Sequence, residues 1–361
     1  MKFEIFRYNL PLISPIQITK TQINTRSGCI VQIWDENDHS GLGEIAPLPG
    51  LHDETLEVAL QILKDIQSFL FNSEIPLHLD RLDGGIGKWF SGKEILPSVR
   101  FGLEMAILNL IGNKNNQSLM SLLSENYQKH INLNGLVNGD KNQIIKQVEQ
   151  LIQDGYQTIK LKVGRKSVDE DIQIAHKVKE IIGQKARLRF DANRNWSLTE
   201  AVRFGKAIGS DKIEYIEEPL SEIGNLDIFY NQTGIPIALD ESLRQIPKNI
   251  LENIKGLAAL IIKPSVVGGF ERSMEFIRFG KVHNIYSVIS STFESGVGLT
   301  ALANFAASLS PDNIAMGLDT FKWFKEDLLE NGFDTTQGKL DLEFLNKSSK
   351  VIRQDLLKKI I

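Results

Sequence analysis

Six residues in the middle of the chain carry groups suited to acid–base and metal chemistry, and each closes a short apolar run. They are Lys160 and Lys162 in TIKLK, Asp191 in RLRFD, Glu217 in IEYIE, Asp240 in IPIALD and Lys263 in LAALIIK. From Lys162 onward the intervals are 29, 26, 23 and 23 residues. Side chains at i and i+2 of a strand share a face, so both lysines point one way while Leu161 packs the other. Two ammonium groups about 4 Å apart at an effective dielectric near 20 repel by roughly 4 kcal/mol. That brings one amine from ~10.4 toward neutrality and makes it a competent general base. Lys162, nearer the strand end, is the candidate. The carboxylates of Asp191, Glu217 and Asp240 form a hard-oxygen half-shell with open positions, which suits Mg²⁺, or Mn²⁺ in its place, better than zinc. Lys263, arriving from across the mouth, stabilises negative charge or serves as a second acid/base. The chemistry this set fits is removal of a proton α to a carboxylate, with cation and ammonium groups neutralising the enediolate.

Flanking residues extend the set. Arg189 lies two residues before Asp191 on the same strand face and is expected to support its carboxylate, as is Asn193. Glu218 and Glu241, one residue beyond two of the acids, are expected to point away. Ser290, Ser291 and Thr292 close a later run, and Gly296-Val297-Gly298 opens the next helix; their hydroxyls and helix-start N–H groups are candidates for a second substrate carboxylate. Gly268-Gly269 lacks any surrounding phosphate-loop pattern and reads as a turn.

Six such groups meet only if successive strands deliver them to one place. Between about 120 and 320, eight runs (INLNGLV, TIKLKV, RLRFDA, IEYIEE, IPIALD, LAALIIKP, YSVISS, IAMGLD) alternate with helical stretches. This is the repeat of βα units, whose parallel strands carry working side chains at their C-terminal ends. The expected class is α/β: a (β/α)7β TIM-type barrel with an α+β capping domain formed by the N-terminal region and the C-terminal tail. The corresponding divisions are 1–118, 119–320 and 321–361. Within the cap, strands are expected near 3–10, 29–34 and 42–45, and amphipathic helices over 54–70 and 98–112.

Bulk properties narrow the classes. The 361 residues are 42% hydrophobic, enough for a substantial core, and the net charge of −4 with mixed signs gives no basic field for nucleic acid or anionic lipid. One cysteine, Cys29, allows no internal disulfide, and six scattered histidines include no pair at zinc-ligand spacing. Glu4 and Arg7 interrupt the N-terminal apolar stretch that a signal peptide needs, and no run approaches membrane-spanning length. The expected setting is cytoplasmic, with a small-molecule carboxylate as partner; no protein partner or oligomeric state is legible.

The motifs KLKVG at 160–164, RFDANRNW at 189–196, IEEPL at 216–220, LDESLR at 239–244, IIKPS at 261–265 and ISSTFESGVGL at 289–299 resemble the muconate-lactonising branch of the enolase superfamily. GEIAPLPGLHDETL at 43–56, PSVRFGLEMA at 97–106 and NGLVNGD at 134–140 are similar, within it, to the o-succinylbenzoate synthase family. The resemblance implies Mg²⁺ held by Asp191, Glu217 and Asp240. It implies that Lys162 takes the α proton of a succinyl-bearing hydroxycyclohexadiene carboxylate and returns it to the departing hydroxyl, giving 2-succinylbenzoate. Lys263 would stabilise the enediolate, and Lys160 would hold the carboxylate and tune Lys162. Two cap loops, near 14–26 and 47–51, would close over the barrel. Thr292 stands where related sequences often have serine. The same shell also serves dipeptide epimerases and N-acylamino acid racemases. A non-catalytic Mg²⁺/dicarboxylate-binding barrel is the reading from another class, disfavoured by an intact base.

Overall fold

The computed structural model describes residues 2–18, 21–309, 314–349 and 351–360. The N-terminal part is an antiparallel meander of β1 (Lys2–Ile18), β2 (Thr21–Trp34) and β3 (Ser40–Ile45). Both long strands outrun the expected runs, because alternation of buried and polar side chains continues through Pro11, with a bulge between Pro11 and Ile16. The loop expected near 14–26 is therefore mostly the far end of this hairpin; Thr19 and Lys20 lie outside the described residues. Two helices cover the sheet, α1 (Leu56–Asn72) and α2 (Pro97–Lys114). Gly41 and Gly43 let α2 lie directly on β3: a Cβ at either would run into α2 backbone at Ala106 or Gly102.

Seven parallel strands follow: β4 (Gly135–Val137), β5 (Thr158–Lys162), β6 (Arg187–Asp191), β7 (Ile213–Glu217), β8 (Ile237–Leu239), β9 (Leu257–Ile262) and β10 (Tyr286–Ile289), paired in sequence order. Helices α3 (Lys141–Gln153), α4 (Val168–Ile182), α5 (Leu198–Ile208) and α6 (Leu226–Thr233) alternate with strands β4–β8; α7 (Phe270–His283) and α8 (Gly296–Ser308) continue the alternation after β9 and β10. The capping chemistry is written locally: Asp140 with Gln143 and Ser197 with Glu200 form reciprocal capping boxes.

Two of the eight expected strands differ. INLNGLV divides, with 130–132 joining a small antiparallel sheet with 339–341, while 135–137 enters the barrel. IAMGLD contributes no continuous strand. It closes the ring through single bridges, Leu133 to Met316 and Ser290 to Gly317, with Asn134 N donating to Met316 O and Ser291 N to Gly317 O, both at 3.0 Å. Inside the ring, Tyr215, Ala238, Ala259, Ile261 and Val288 form a separate apolar layer, so the barrel is a packed core below its mouth.

The chain's last segment returns to the N-terminal sheet: β11 (Lys358–Lys359) pairs with β1 at Phe6 and Arg7. Buried carboxylates tie cap to barrel. Glu104 of α2 accepts from Arg100 Nε at 2.8 Å and from the α7 amide Glu271 N at 2.9 Å. Burial pushes Glu104 up to about 7 despite the Arg100 charge. A carboxyl raised on folding stabilises fully below its ordinary value and loses that contribution as pH rises through the folded one. The protein is therefore expected to lose stability between about pH 5 and 8, and Glu104→Gln to flatten that slope. Urea melts across this range check it; parallel slopes would refute it.

Candidate active site

Strand register brings the expected residues together. Lys162 pairs with Asp191 and Asp191 with Glu217 across β5–β6–β7; Glu217 pairs with Ala238, which puts Asp240 just beyond the end of β8. Ile159 and Leu161 are fully buried against the outer helices, leaving Lys160 and Lys162 on the interior face. Lys160 Nζ lies 2.7 Å from both Glu217 oxygens and 3.1 Å from Asp191 Oδ2. Lys162 Nζ lies 3.2 Å from Asp191 Oδ2 and 2.9 Å from Asn193 Oδ1. Lys263 pairs closely with Asp240. β5 and β9 are four positions apart in an eight-position ring, so Lys162 and Lys263 face each other across the carboxylates.

The electrostatics show what the carboxylates do to the two outer amines. Repulsion between the paired lysines was expected to bring an amine toward neutrality. Burial does act against charge on Lys160, but Asp191, Glu217 and Asp240 outweigh it and raise Lys160 well above its ordinary value. Lys263 is likewise raised: burial is overcome by Asp240 and Glu241. Lys162 touches one carboxylate and an amide oxygen, a lighter anionic load than Lys160 carries. Burial would raise Asp191, but Lys160, Lys162 and Lys263 hold it well below the carboxylate range. Burial and the charge of Asp191 push Glu217 up to about 8 against the pull of Lys160.

Among the described residues no three acidic, cysteine or histidine side chains are gathered as a ready metal-ligand group. The donor chemistry nevertheless fits a hard divalent cation. Asp191 and Glu217 both reach the Nζ of Lys160, and Glu217 resists ionisation beside Asp191, a penalty that a cation among these oxygens would relieve. Asp191, Glu217 and Asp240 would hold it once the ammonium groups give way.

Other placements differ from expectation. Arg189 does not support Asp191. Its Nε donates to Glu214 at 2.6 Å and its Nη1 to Asn134 Oδ1 and Ala315 O, and it stacks over Tyr215, because it sits one layer deeper in the barrel. Asn193 does support the site: its N–H donates to Asp191 Oδ1 at 3.0 Å. Glu241 does not point away. Asp240 leaves the strand conformation (φ −124, ψ −87) and begins a tight helical turn over Glu241–Arg244, swinging Glu241 inward. There Glu241 accepts from Asn193 Nδ2 at 3.0 Å, which leaves the Asn193 oxygen toward Lys162. Glu218 holds this turn, accepting from Asp240 N, Ser242 N and Ser242 Oγ.

The expected second-carboxylate site is largely self-satisfied. Thr292 N and Oγ1 both donate to Glu294 at 2.6 Å, and Ser291 Oγ meets Thr320 Oγ1 at 2.7 Å. The α8 amides are also engaged, Gly296 N to Asp327 and Gly298 N to Glu44, so that helix start is already neutralised. Among the described residues, Ser290 is the one of the three hydroxyls with no bond shorter than 3.4 Å.

Two cap residues escaped sequence reasoning. Arg26 is 1% exposed and donates to Phe293 O at 2.9 Å, Pro47 O at 3.0 Å and Thr292 O at 3.2 Å, as well as to Ala46 O, stapling the 47–51 segment to the loop after β10. His52 continues this staple. Its Nδ1 accepts from Leu48 N at 2.9 Å, so Nε2 carries the proton toward Ser265 O at 3.1 Å, and burial keeps the ring's pKa low.

A ring of parallel strands with opposed lysines over three strand-end carboxylates, beneath an α+β cap, defines a member of the enolase superfamily. Residues 143–343 match the family described as enolase C-terminal domain-like, and residues 1–110 match that described as MenC, N-terminal domain. The chain is 32% identical to the o-succinylbenzoate synthase of Pasteurella multocida over 95% of its length and 96% of that protein's. It is 32% identical to that of Aliivibrio fischeri (strain MJ11), covering 94% of each. Protein PHYLLO, chloroplastic, of Arabidopsis thaliana is 34% identical over 85% of this chain, which spans 20% of that protein. The chain belongs to the o-succinylbenzoate synthase family. Among solved structures, the dipeptide epimerase of Enterococcus faecalis V583 complexed with Mg and L-Leu-L-Tyr is similar in fold, with TM-score 0.83 at 21% identity over 94% of this chain and 96% of that one. No helix among the described residues is long and apolar enough to cross a membrane.

Proposed function

We propose that this chain is a Mg²⁺-dependent lyase that dehydrates 2-succinyl-6-hydroxy-2,4-cyclohexadiene-1-carboxylate to 2-succinylbenzoate in menaquinone biosynthesis. The observation that carries the reading is the opposed pair Lys162 and Lys263 over three carboxylates, in a chain whose residues 143–343 match the enolase C-terminal domain-like family and whose residues 1–110 match the MenC N-terminal domain. Residues 1–118 and 321–361 would form the cap and 119–320 the barrel, working in the cytoplasm.

Lys162, as the free amine, takes the proton from the carbon α to the carboxylate. The C–H electron pair moves into the carboxylate as an enediolate, whose charge Lys263 and Lys160 offset. The pair then returns, the ring C–O bond breaks, and Lys162, now an ammonium, gives its proton to the departing hydroxyl so that water leaves. Aromatisation makes this second step downhill. When bound by Asp191, Glu217 and Asp240, Mg²⁺ supplies Lewis-acid stabilisation of the substrate carboxylate. Asn193, oriented by Glu241, positions Lys162; Ser290 is left to meet the succinyl arm. The staples at Arg26 and His52 hold the cap segment that excludes water.

Epimerisation on the same residues is the competing reading, and the epimerase likeness at 21% identity concerns fold. Incubating the Mg²⁺-loaded protein in D₂O with N-succinyl amino acids and with dipeptides separates the two. Little or no α-deuterium is expected; rapid exchange without aromatic product from the cyclohexadiene would transfer the chain to the epimerases.

A further inference from the structure

Asn193, just past β6, and Glu218, just past β7, both hold left-handed backbone, with φ of +45 and +44. Asparagine visits that region readily; glutamate does so rarely, and such strain persists only where the surroundings hold it. Here the holding bonds are Arg194 N to Glu218 O at 2.8 Å and Glu218 N to Ala238 O at 3.0 Å, with the Glu218 carboxylate accepting from Asp240 N and Ser242 N, each at 2.8 Å. They fix the two turns from which Asn193 and Glu241 meet. The side chains then stand in line: Lys162 Nζ donates to Asn193 Oδ1 at 2.9 Å, and Asn193 Nδ2 donates to Glu241 Oε1 at 3.0 Å. A carboxylate only accepts, so the amide turns its NH2 toward Glu241 and its oxygen toward Lys162. The reverse orientation would set NH2 against the amine. An ammonium would be repelled by it, and a free amine would spend on it the lone pair that attacks carbon. The other oxygen of Glu241, Oε2, is buried with no hydrogen-bond partner among the described residues, and the Glu241 charge is one of those that keep Lys263 ionised.

We propose that Glu241 is a positioning residue for the base: it sets which end of the Asn193 amide faces Lys162, and so leaves the amine's lone pair free for the substrate carbon. Contact with Lys162 could be made by either end of the amide; the carboxylate selects the accepting one. The inference rests on Lys162 as the base of the proposed dehydration. It goes beyond that reading in giving the orientation of the base to a residue that acts through another side chain.

The test is a double-mutant cycle on the full chain saturated with Mg²⁺: the parent, Glu241→Gln, Asn193→Ala and the two together, assayed on 2-succinyl-6-hydroxy-2,4-cyclohexadiene-1-carboxylate. In Glu241→Gln the new amide can donate to the Asn193 oxygen while turning its own oxygen toward Lys263, so the selection is lost. The expected result is a kcat at least tenfold lower with KM within threefold of the parent, and a further loss of less than twofold when the same substitution is made beside Asn193→Ala. Equal losses in both backgrounds would show that Glu241 acts on Lys263 or the cation instead of through the amide, and would overturn the proposal. So would a loss confined to KM, or none. Glu241→Ala is carried through the same cycle, so that misfolding of one variant leaves the other to decide. A parent that leaves the cyclohexadiene unchanged yet exchanges α-deuterium into an N-succinyl amino acid overturns the assigned reaction and not the relay, and the cycle is then read on that exchange. A parent active in neither assay removes the base, and this proposal with it.

Discussion

Lys162→Ala is expected to lower turnover by on the order of 10⁴-fold, the upper end for loss of a positioned acid–base group. The reason is that one side chain serves twice, first as base toward carbon and then as acid toward the leaving hydroxyl. The fold is expected to survive, because Lys162 is partly exposed at a strand end and its partners Asp191 and Asn193 keep other bonds. Mg²⁺ affinity should hold or rise, since Asp191 loses a competing ammonium. Steady-state assays beside metal titration check this. Residual activity within tenfold of the parent would move the base to another residue.

The largest effect on stability is expected from Glu44→Ala. Glu44, at the β3 end of the cap, is fully buried and accepts from Ser295 N at 2.8 Å, Ser295 Oγ at 2.6 Å, Gly298 N at 2.7 Å and the Tyr8 hydroxyl. Burial raises its pKa, and the Ser295 bonds oppose that rise. Truncation strands two amides and two hydroxyls in a dry seam at the start of α8, and an orphaned buried polar group costs about 1–3 kcal/mol. Partial relaxation leaves an expected loss of about 4 kcal/mol. Urea denaturation reads it as a lower midpoint; a loss below about 1 kcal/mol would show that the seam is wetter or looser than described.

These two residues mark the limits of what was legible in the chain. Lys160, Lys162, Asp191, Glu217, Asp240 and Lys263 were readable because strand period and strand-end position are local, and local pattern fixes which way a side chain points. Glu241 was misread by the same rule: its direction depends on Asp240 abandoning strand geometry, which no neighbouring residue announces. The availability of the α8 amides was misjudged because their partners include Glu44, some 250 residues away, and that of Thr292 because Glu294, two residues on, turns back to accept from its N–H and hydroxyl. Arg26 reads as the last residue of the loop expected near 14–26, and becomes a staple only when the loop after β10 arrives beside it. The eighth run carried the right composition for a strand yet supplied only ring closure at Met316 and Gly317.

The most direct measurement is a single assay: the protein with Mg²⁺ and 2-succinyl-6-hydroxy-2,4-cyclohexadiene-1-carboxylate, followed by the absorbance of the aromatic product. The expected result is steady formation of 2-succinylbenzoate that stops on chelation and is absent in Lys162→Ala. A metal-loaded, folded protein that leaves the cyclohexadiene unchanged, or a Lys162→Ala variant that aromatises it at the parent's rate, would contradict the assignment of this chemistry to these residues.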